Sequence, residues 1–346
     1  MRIWIDLENL PDVLFFAPVL RALGSQGHAA FLTARVEKDL PELCARKGWR
    51  VDAVVGRHYG GGRLLKSAGG VARALGLARA VRSFRPEILV NFASRPAILA
   101  AAALRAPIFT FFDYEHVALP LVGRLSRRVC VPEGAADAVA ARLGVPRERL
   151  ARLPGTKEDV YAWDFTPAPM RAVLGVPEDA VLALLRPPAS LAHYHDARSE
   201  GIFDALLARI AAREDVHARV LSRGAEDRRR LEARFPEHPR IRHLDATLDG
   251  LALVWNADLV VSGGGTMTRE AAALGIPSYS VFTGAIGAVD QRLFDEGRIV
   301  HVGVPEALDR VRLERTARPA GPPPPRDDLV SWFVREITDT ASQGAR

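Results

Sequence analysis

The stretch Ala257-Asp258-Leu259-Val260-Val261-Ser262-Gly263-Gly264-Gly265-Thr266-Met267-Thr268-Arg269-Glu270-Ala271 decides the fold class. An apolar run of strand length passes straight into three glycines, and a helical pattern begins at once. Glycines let a backbone approach an anion closely. A helix N-terminus offers unpaired N–H groups at the positive end of its dipole. A phosphate or diphosphate fits this junction, with Ser262, Gly263, Gly264, Gly265 and Thr266 as its contacts. Glu270, about one turn into the helix, is placed to accept hydrogen bonds from ribose hydroxyls. The alternative is a ligand-free strand–helix turn in which Glu270 is an ordinary helix residue. No Gly-x-x-x-x-Gly-Lys-Ser/Thr occurs, which disfavours a P-loop ATPase. No Gly-x-Gly-x-x-Gly follows the first strand, which disfavours a dehydrogenase.

The same rhythm extends outward. In the second half the pattern predicts strands over 181–185, 217–221, 241–244, 259–261, 278–281 and 299–302, and helices over 203–212, 226–235 and 266–274. In the first half it predicts strands over 2–6, 29–33, 51–55, 88–92, 108–112 and 129–132, and helices over 13–23, 39–47, 71–84 and 97–104. Strand–helix alternation with near-continuous apolar strands argues parallel sheets covered on both faces. The polar, proline-containing stretch from Pro154 to Pro169 reads as a hinge. Pro319-Ala320-Gly321-Pro322-Pro323-Pro324-Pro325 reads as a linker or extended bridge. A last helix follows over 327–340, with Asp327 or Asp328 as N-cap and an apolar stripe of Leu329, Val330, Phe333, Val334 and Ile337.

Composition fits this reading. At 346 residues the chain suits about two domains. Its 48% hydrophobic and 25% charged residues mark it as globular. With 47 Lys plus Arg against 41 Asp plus Glu, the net charge of +6 is mild. It permits attraction to phosphates or an anionic membrane but does not demand nucleic acid. Cys44 and Cys130 form no Cys-x-x-Cys pair, against a disulfide framework or cysteine zinc site. Asp6 and Glu8 break the N-terminal apolar stretch, against a signal peptide. No apolar run approaches the ~18 residues of a spanning helix. A cytoplasmic protein is expected. The helix over 71–84 carries Arg73, Arg79 and Arg82, flanked by Arg63, Lys66 and Arg85. It reads either as a solvated face or as one that rests on the inner face of the membrane or on a phosphorylated acceptor.

Further residues could carry chemistry. Asp113, Glu115 and His116 follow the strand over 108–112, where carboxylates and imidazole suit acid–base work. Asp12 reads as a cap for the helix over 13–23 or as a base. Arg186-Pro187-Pro188 and His193-Tyr194-His195 follow the first strand of the second half, and Arg186 would bring a cation to its open end. The two histidines lack a third metal ligand nearby. Asp290 and Gln291 either hold sugar hydroxyls or cap a helix, and Lys157 with Glu158 reads as a solvated pair.

These motifs resemble the GT-B superfamily of nucleotide-sugar enzymes. Similar members are the lipid II-forming N-acetylglucosaminyltransferase and the non-hydrolysing UDP-N-acetylglucosamine 2-epimerase. More narrowly, the chain resembles a prokaryotic branch described as a domain of unknown function. The run from Ala257 through Glu270-Ala271-Ala272-Ala273-Leu274-Gly275-Ile276-Pro277 is similar to the donor diphosphate and ribose motif. Val289-Asp290-Gln291 resembles the pair that holds donor-sugar hydroxyls, and Glu115-His116-Val117-Ala118-Leu119-Pro120 a glutamate-led loop facing the cleft. Transferase relatives show a histidine where this chain has Asp12. The epimerase's aspartate-containing loop has no counterpart over 88–97.

The expectation is a GT-B-like α/β protein of two Rossmann-like domains facing across a cleft. Residues 1–160 would form the acceptor domain and 161–318 the donor domain. Residues 319–346 would cross back onto the first. The resemblance implies glycosyl transfer from a nucleotide-diphosphate sugar to an unknown acceptor, with Arg186 on the diphosphate and Asp12 or Glu115 as base. No cofactor or metal is invoked, since no Asp-x-Asp occurs. The alternatives are sugar-nucleotide epimerisation and non-catalytic binding of a sugar nucleotide.

Overall fold

The computed structural model describes residues 1–36, 40–57, 63–116, 120–188, 196–222, 228–229, 232–233, 235, 238–244, 249–317 and 321–343. Most of the glycine-rich run Gly56-Arg57-His58-Tyr59-Gly60-Gly61-Gly62, which reads as a loop in the sequence, the histidines at 193 and 195, most of the helix expected over 226–235 and the start of the proline-rich stretch lie outside the described residues. The chain divides into two compact units, residues 1–164 with 326–346, and residues 165–325.

The first unit holds seven parallel strands: β1 (Arg2–Leu7), β2 (Ala29–Val36), β3 (Ala53–Arg57), β4 (Ile88–Asn91), β5 (Ile108–Phe111), β6 (Arg128–Pro132) and β7 (Leu150–Leu153). Their order is β3-β2-β1-β4-β5-β6-β7. Ile3, Trp4 and Ile5 of β1 are wholly buried, as expected of a strand covered on both faces. Helices α1 (Leu10–Ser25), α2 (Leu40–Arg46), α3 (Arg63–Val81), α4 (Arg95–Ala103), α5 (Pro120–Leu125), α6 (Ala136–Leu143) and α7 (Lys157–Tyr161) connect them.

Three local signals resolve differently from the sequence reading. Helix α1 begins at Leu10, not 13, because Asn9 is its N-cap and Pro11 falls in the first turn, where a missing N–H costs nothing. Asp12 closes the capping box rather than starting it. Part of the stretch read as a hinge is helix α7, capped by Thr156, whose hydroxyl accepts from the Asp159 N–H.

The second unit has six parallel strands: β8 (Val181–Arg186), β9 (Val216–Leu221), β10 (Ile241–Leu244), β11 (Leu259–Ser262), β12 (Ser278–Ser280) and β13 (Val300–His301). Their order is β10-β9-β8-β11-β12-β13. Helices α8 (Ala197–Ala211), α9 (Gly250–Asn256), α10 (Gly265–Ala273) and α11 (Ala288–Asp295) belong to this unit. Ile202, Phe203, Leu206, Leu207 and Ile210 of α8 form one core with Val181, Ala183 and Leu185 of β8 and Leu259 and Val261 of β11.

The last helix, α12 (Asp327–Ser342), returns to the first unit. Its cap position is Arg326, whose guanidinium binds Asp328 at 2.8 Å, so neither aspartate is the N-cap. Leu329, Val330, Phe333, Val334 and Ile337 are all buried within the first unit. The Phe333 ring lies 5.0 Å from Phe15 of α1 and 5.3 Å from Phe109 of β5.

Candidate functional site

An open parallel sheet binds ligands beyond the carboxyl ends of its strands, where the strand order reverses. In the second unit that point lies between β8 and β11. Arg186 and Ser262, the last residues of those strands, are register partners, and the Gly263 N–H donates to the Arg186 carbonyl at 3.1 Å. Helix α10 starts at Gly265, with Gly264 as its cap. Glycine has no side chain to cap with, so the first-turn N–H groups of Gly265 and Thr266 receive no side-chain cap from Gly264. The Gly264 N–H is the exception, donating to Ser262 Oγ at 3.0 Å. Gly263 is required by crowding: a Cβ there would lie 2.5 Å from Pro188 Cα. The predicted residues Arg186, Ser262, Gly263, Gly264, Gly265 and Thr266 thus come together at one junction.

Glu270 is buried on α10. Its neighbour Arg269, which sequence reasoning passed over, reaches α11 and grips Asp290 through Nε to Oδ1 at 2.7 Å and Nη2 to Oδ2 at 2.9 Å. Asp290 therefore does not cap α11, whose cap is Gly287. Gln291 is exposed and donates to Asp295 one turn on, at 2.9 Å. The two side chains have different partners in the structure. A signal existed for Arg269: a cation at the motif's centre, on a buried helix face, needs a carboxylate.

In the first unit Asp113, Glu115 and His116 share the turn after β5. Asp113 Oδ2 accepts from Lys157 Nζ at 3.0 Å, and Glu115 Oε1 lies 3.7 Å from His116 Nε2. Glu115 is buried while His116 reaches solvent. Lys157 and Glu158 are not a solvated pair: Glu158 is wholly buried, 3.8 Å from Lys157 Nζ. Asp12 is buried, and its Oδ2 accepts from the N–H groups of Glu8 at 2.9 Å and Asn9 at 3.0 Å. Burial pushes its carboxyl up to about 7, against those N–H groups and the nearby Lys157, which pull it down.

Arg73 departs most from expectation. It is no part of an exposed basic face but is buried against Asp6 at 2.9 Å and Glu8 at 2.7 Å. Among the described residues no group of three or more His, Cys, Asp or Glu could hold a metal ion, and no helix is long and apolar enough to cross a membrane.

Comparison with known proteins agrees with this architecture. The chain is 24% identical over 312 residues to the uncharacterized protein MJ0665 of Methanocaldococcus jannaschii, covering 87% of each. It is similar to the UDP-GlcNAc 2-epimerase of the same organism in complex with UDP-GlcNAc and UDP, with a TM-score of 0.72 at 13% identity over 98% of this chain and 100% of that one. It is also similar to MnaA of S. aureus in a co-structure with UDP, with a TM-score of 0.70 at 13% identity over 89% and 86% of the two chains. The fold is GT-B-like, built of two Rossmann-like α/β domains. With the family profile described as "Protein of unknown function (DUF354)" matching residues 1–315, the chain belongs to the DUF354 family.

Proposed function

We propose that the protein binds a nucleotide-diphosphate sugar through its second unit and transfers the sugar to a hydroxyl acceptor. The observation that carries the reading is the bare N-terminus of α10 beside Arg186 at the strand-order reversal of that unit. An anion there meets N–H groups, a helix dipole and a cation at once. The complexes of similar folds with UDP and UDP-GlcNAc support a nucleotide-sugar ligand. In this reading Gly265 and Thr266 N–H groups and Arg186 take the diphosphate, and Glu270 accepts from the ribose. As the bond from the sugar to the diphosphate breaks, negative charge grows on the leaving oxygen, where those donors are already aimed. Asp113, Glu115 and His116 supply acid–base groups from the first unit, with Lys157 as counter-ion to Asp113.

Epimerisation is the second reading, favoured by the likeness to UDP-GlcNAc 2-epimerases. Against it, the end of β4 and the turn that follows, where the epimerase resemblance calls for an aspartate, carry Asn91, Phe92, Ala93 and Ser94. One experiment separates the readings. UDP-GlcNAc is incubated with the protein in D2O, with and without a panel of hydroxyl acceptors. UDP release that depends on acceptor supports transfer. Deuterium entering at C-2 without acceptor means epimerisation. Binding with neither outcome leaves a sugar-nucleotide binding protein.

A further inference from the structure

Besides Arg186, the junction of the second unit has another cation beside the start of α10. Arg269 stands four positions after Gly265, one turn into the helix. Long helical side chains lean back toward the helix N-terminus and cover the turn before their own Cα. Arg269 does so. Its Cζ and Nη2 lie 3.3 Å, and its Nε 3.4 Å, from where a Cβ on Gly265 would stand. The guanidinium thus covers the first residue of the helix, and glycine at 265 leaves it room. Gly264, Gly265 and Thr266 are half-buried and open to solvent. An anion on the N–H groups of Gly265 and Thr266 lies within close Coulomb range of that guanidinium.

Asp290, in the first turn of α11, holds Arg269 in this place. Its Oδ1 accepts from Nε at 2.7 Å and its Oδ2 from Nη2 at 2.9 Å. Two parallel bonds to a carboxylate fix both the plane and the direction of a guanidinium, which a lysine cannot reproduce. As a mere fastener between α10 and α11 a buried ion pair is a poor device, since well-packed apolar side chains tie two helices at least as firmly.

The strand order adds a direction. β11, which leads into α10, runs between β8 and β12. Arg186 ends β8 on one side, whereas α11, which anchors Arg269, follows β12 on the other. A ligand with two adjoining anionic groups meets a cation from each side. A ligand with one leaves a cation unused.

We propose that Arg269, held by Asp290, is a binding residue for the second phosphate of the ligand, and that through it the site selects nucleoside diphosphates over monophosphates. This rests on the nucleotide-sugar reading and lies wholly within the second unit.

The test uses the full chain. Arg269→Met/Asp290→Leu removes both charges and leaves neither buried alone. Arg269→Gln/Asp290→Asn is the second variant, with two neutral amides that can still hydrogen-bond each other. Circular dichroism shows which variants keep the fold. Dissociation constants for UDP are measured by calorimetry, and those for UMP by competition against UDP. The parent is expected to prefer UDP. Either folded variant is expected to lose about tenfold or more in UDP affinity, as for a lost hydrogen bond to a charged group, with UMP affinity kept within about twofold. The preference for the diphosphate narrows accordingly. A purely structural tie between the helices gives another result: UDP and UMP lose affinity together, or neither does. Either of those outcomes in a folded variant overturns the proposal and leaves nucleotide binding at α10 standing. A parent protein that does not bind UDP overturns the nucleotide-sugar reading, and this role with it.

Discussion

Arg269 and Asp290 form a two-pronged ion pair, Nε to Oδ1 at 2.7 Å and Nη2 to Oδ2 at 2.9 Å, that ties α10 to α11. Their side chains are 6% and 17% exposed, so the pair is largely withdrawn from water. The guanidinium also lies over the start of α10, with its Cζ 3.3 Å from where a Cβ on Gly265 would be. Removing one partner leaves the other charge buried. Arg269→Met is therefore expected to destabilise the fold by up to about 3–5 kcal/mol, whereas a substitution that removes both charges costs less. Urea unfolding of Arg269→Met beside the double variant Arg269→Met/Asp290→Leu checks this. Equal losses would mean that leaving Asp290 buried without its partner adds no cost, against this expectation.

Gly263→Ala is expected to be destabilising by about 1–3 kcal/mol, because the new methyl meets Pro188 backbone rather than a movable side-chain end. Gly201→Ala is the control: it lies inside α8 with nothing within 4 Å of the added Cβ, so it should stabilise by about 0.5–1 kcal/mol. Thermal unfolding of the two variants should move in opposite directions.

The strand–glycine–helix junction is legible in the sequence because strand, breaker and helix are contiguous there, and local pattern is all that a sequence displays. The alternation of elements is legible for the same reason. The partners of single charges are not. Arg73 is 67 positions from Asp6, and only β1, α3 and α4 folded together make it a buried counter-ion rather than one more arginine on a basic helix. Asp12 misleads differently: Asn9 lies three residues before it and takes the cap, leaving Asp12 the reciprocal place in the box. The partner of Asp290, Arg269, stands 21 positions earlier, so their ion pair does not show in the local sequence pattern.

Asp12 gives a pH prediction. Its carboxyl is raised in the fold from 3.8 to about 7, so between these values the folded protein binds more protons at this site than the unfolded chain. The site's contribution to stability is then greatest at low pH and falls as pH rises from about 4 to about 7, levelling off above. Asp12→Asn keeps an oxygen for the Glu8 and Asn9 N–H groups and removes the titration. Relative to the parent, it should gain stability progressively across that window. Denaturant unfolding at pH 5 and pH 8 measures the difference; a gain that is equal at both pH values contradicts the shift.

Glu270→Ala should weaken UDP binding by about tenfold or more, since hydrogen bonds to a charged group contribute about 1.5–3 kcal/mol. Calorimetry with UDP reads this directly, and circular dichroism confirms that the fold is kept. Undiminished affinity in a folded variant removes Glu270 from the ribose.

In the nucleotide-sugar reading a nucleotide diphosphate sits on the N-terminus of α10. The most direct measurement is a crystal structure of the protein grown with UDP. The diphosphate is predicted to lie against the N–H groups of Gly265 and Thr266 beside Arg186, with the ribose hydroxyls at Glu270. A diphosphate bound elsewhere, or a protein saturated with UDP by calorimetry whose α10 N-terminus stays empty, would contradict it.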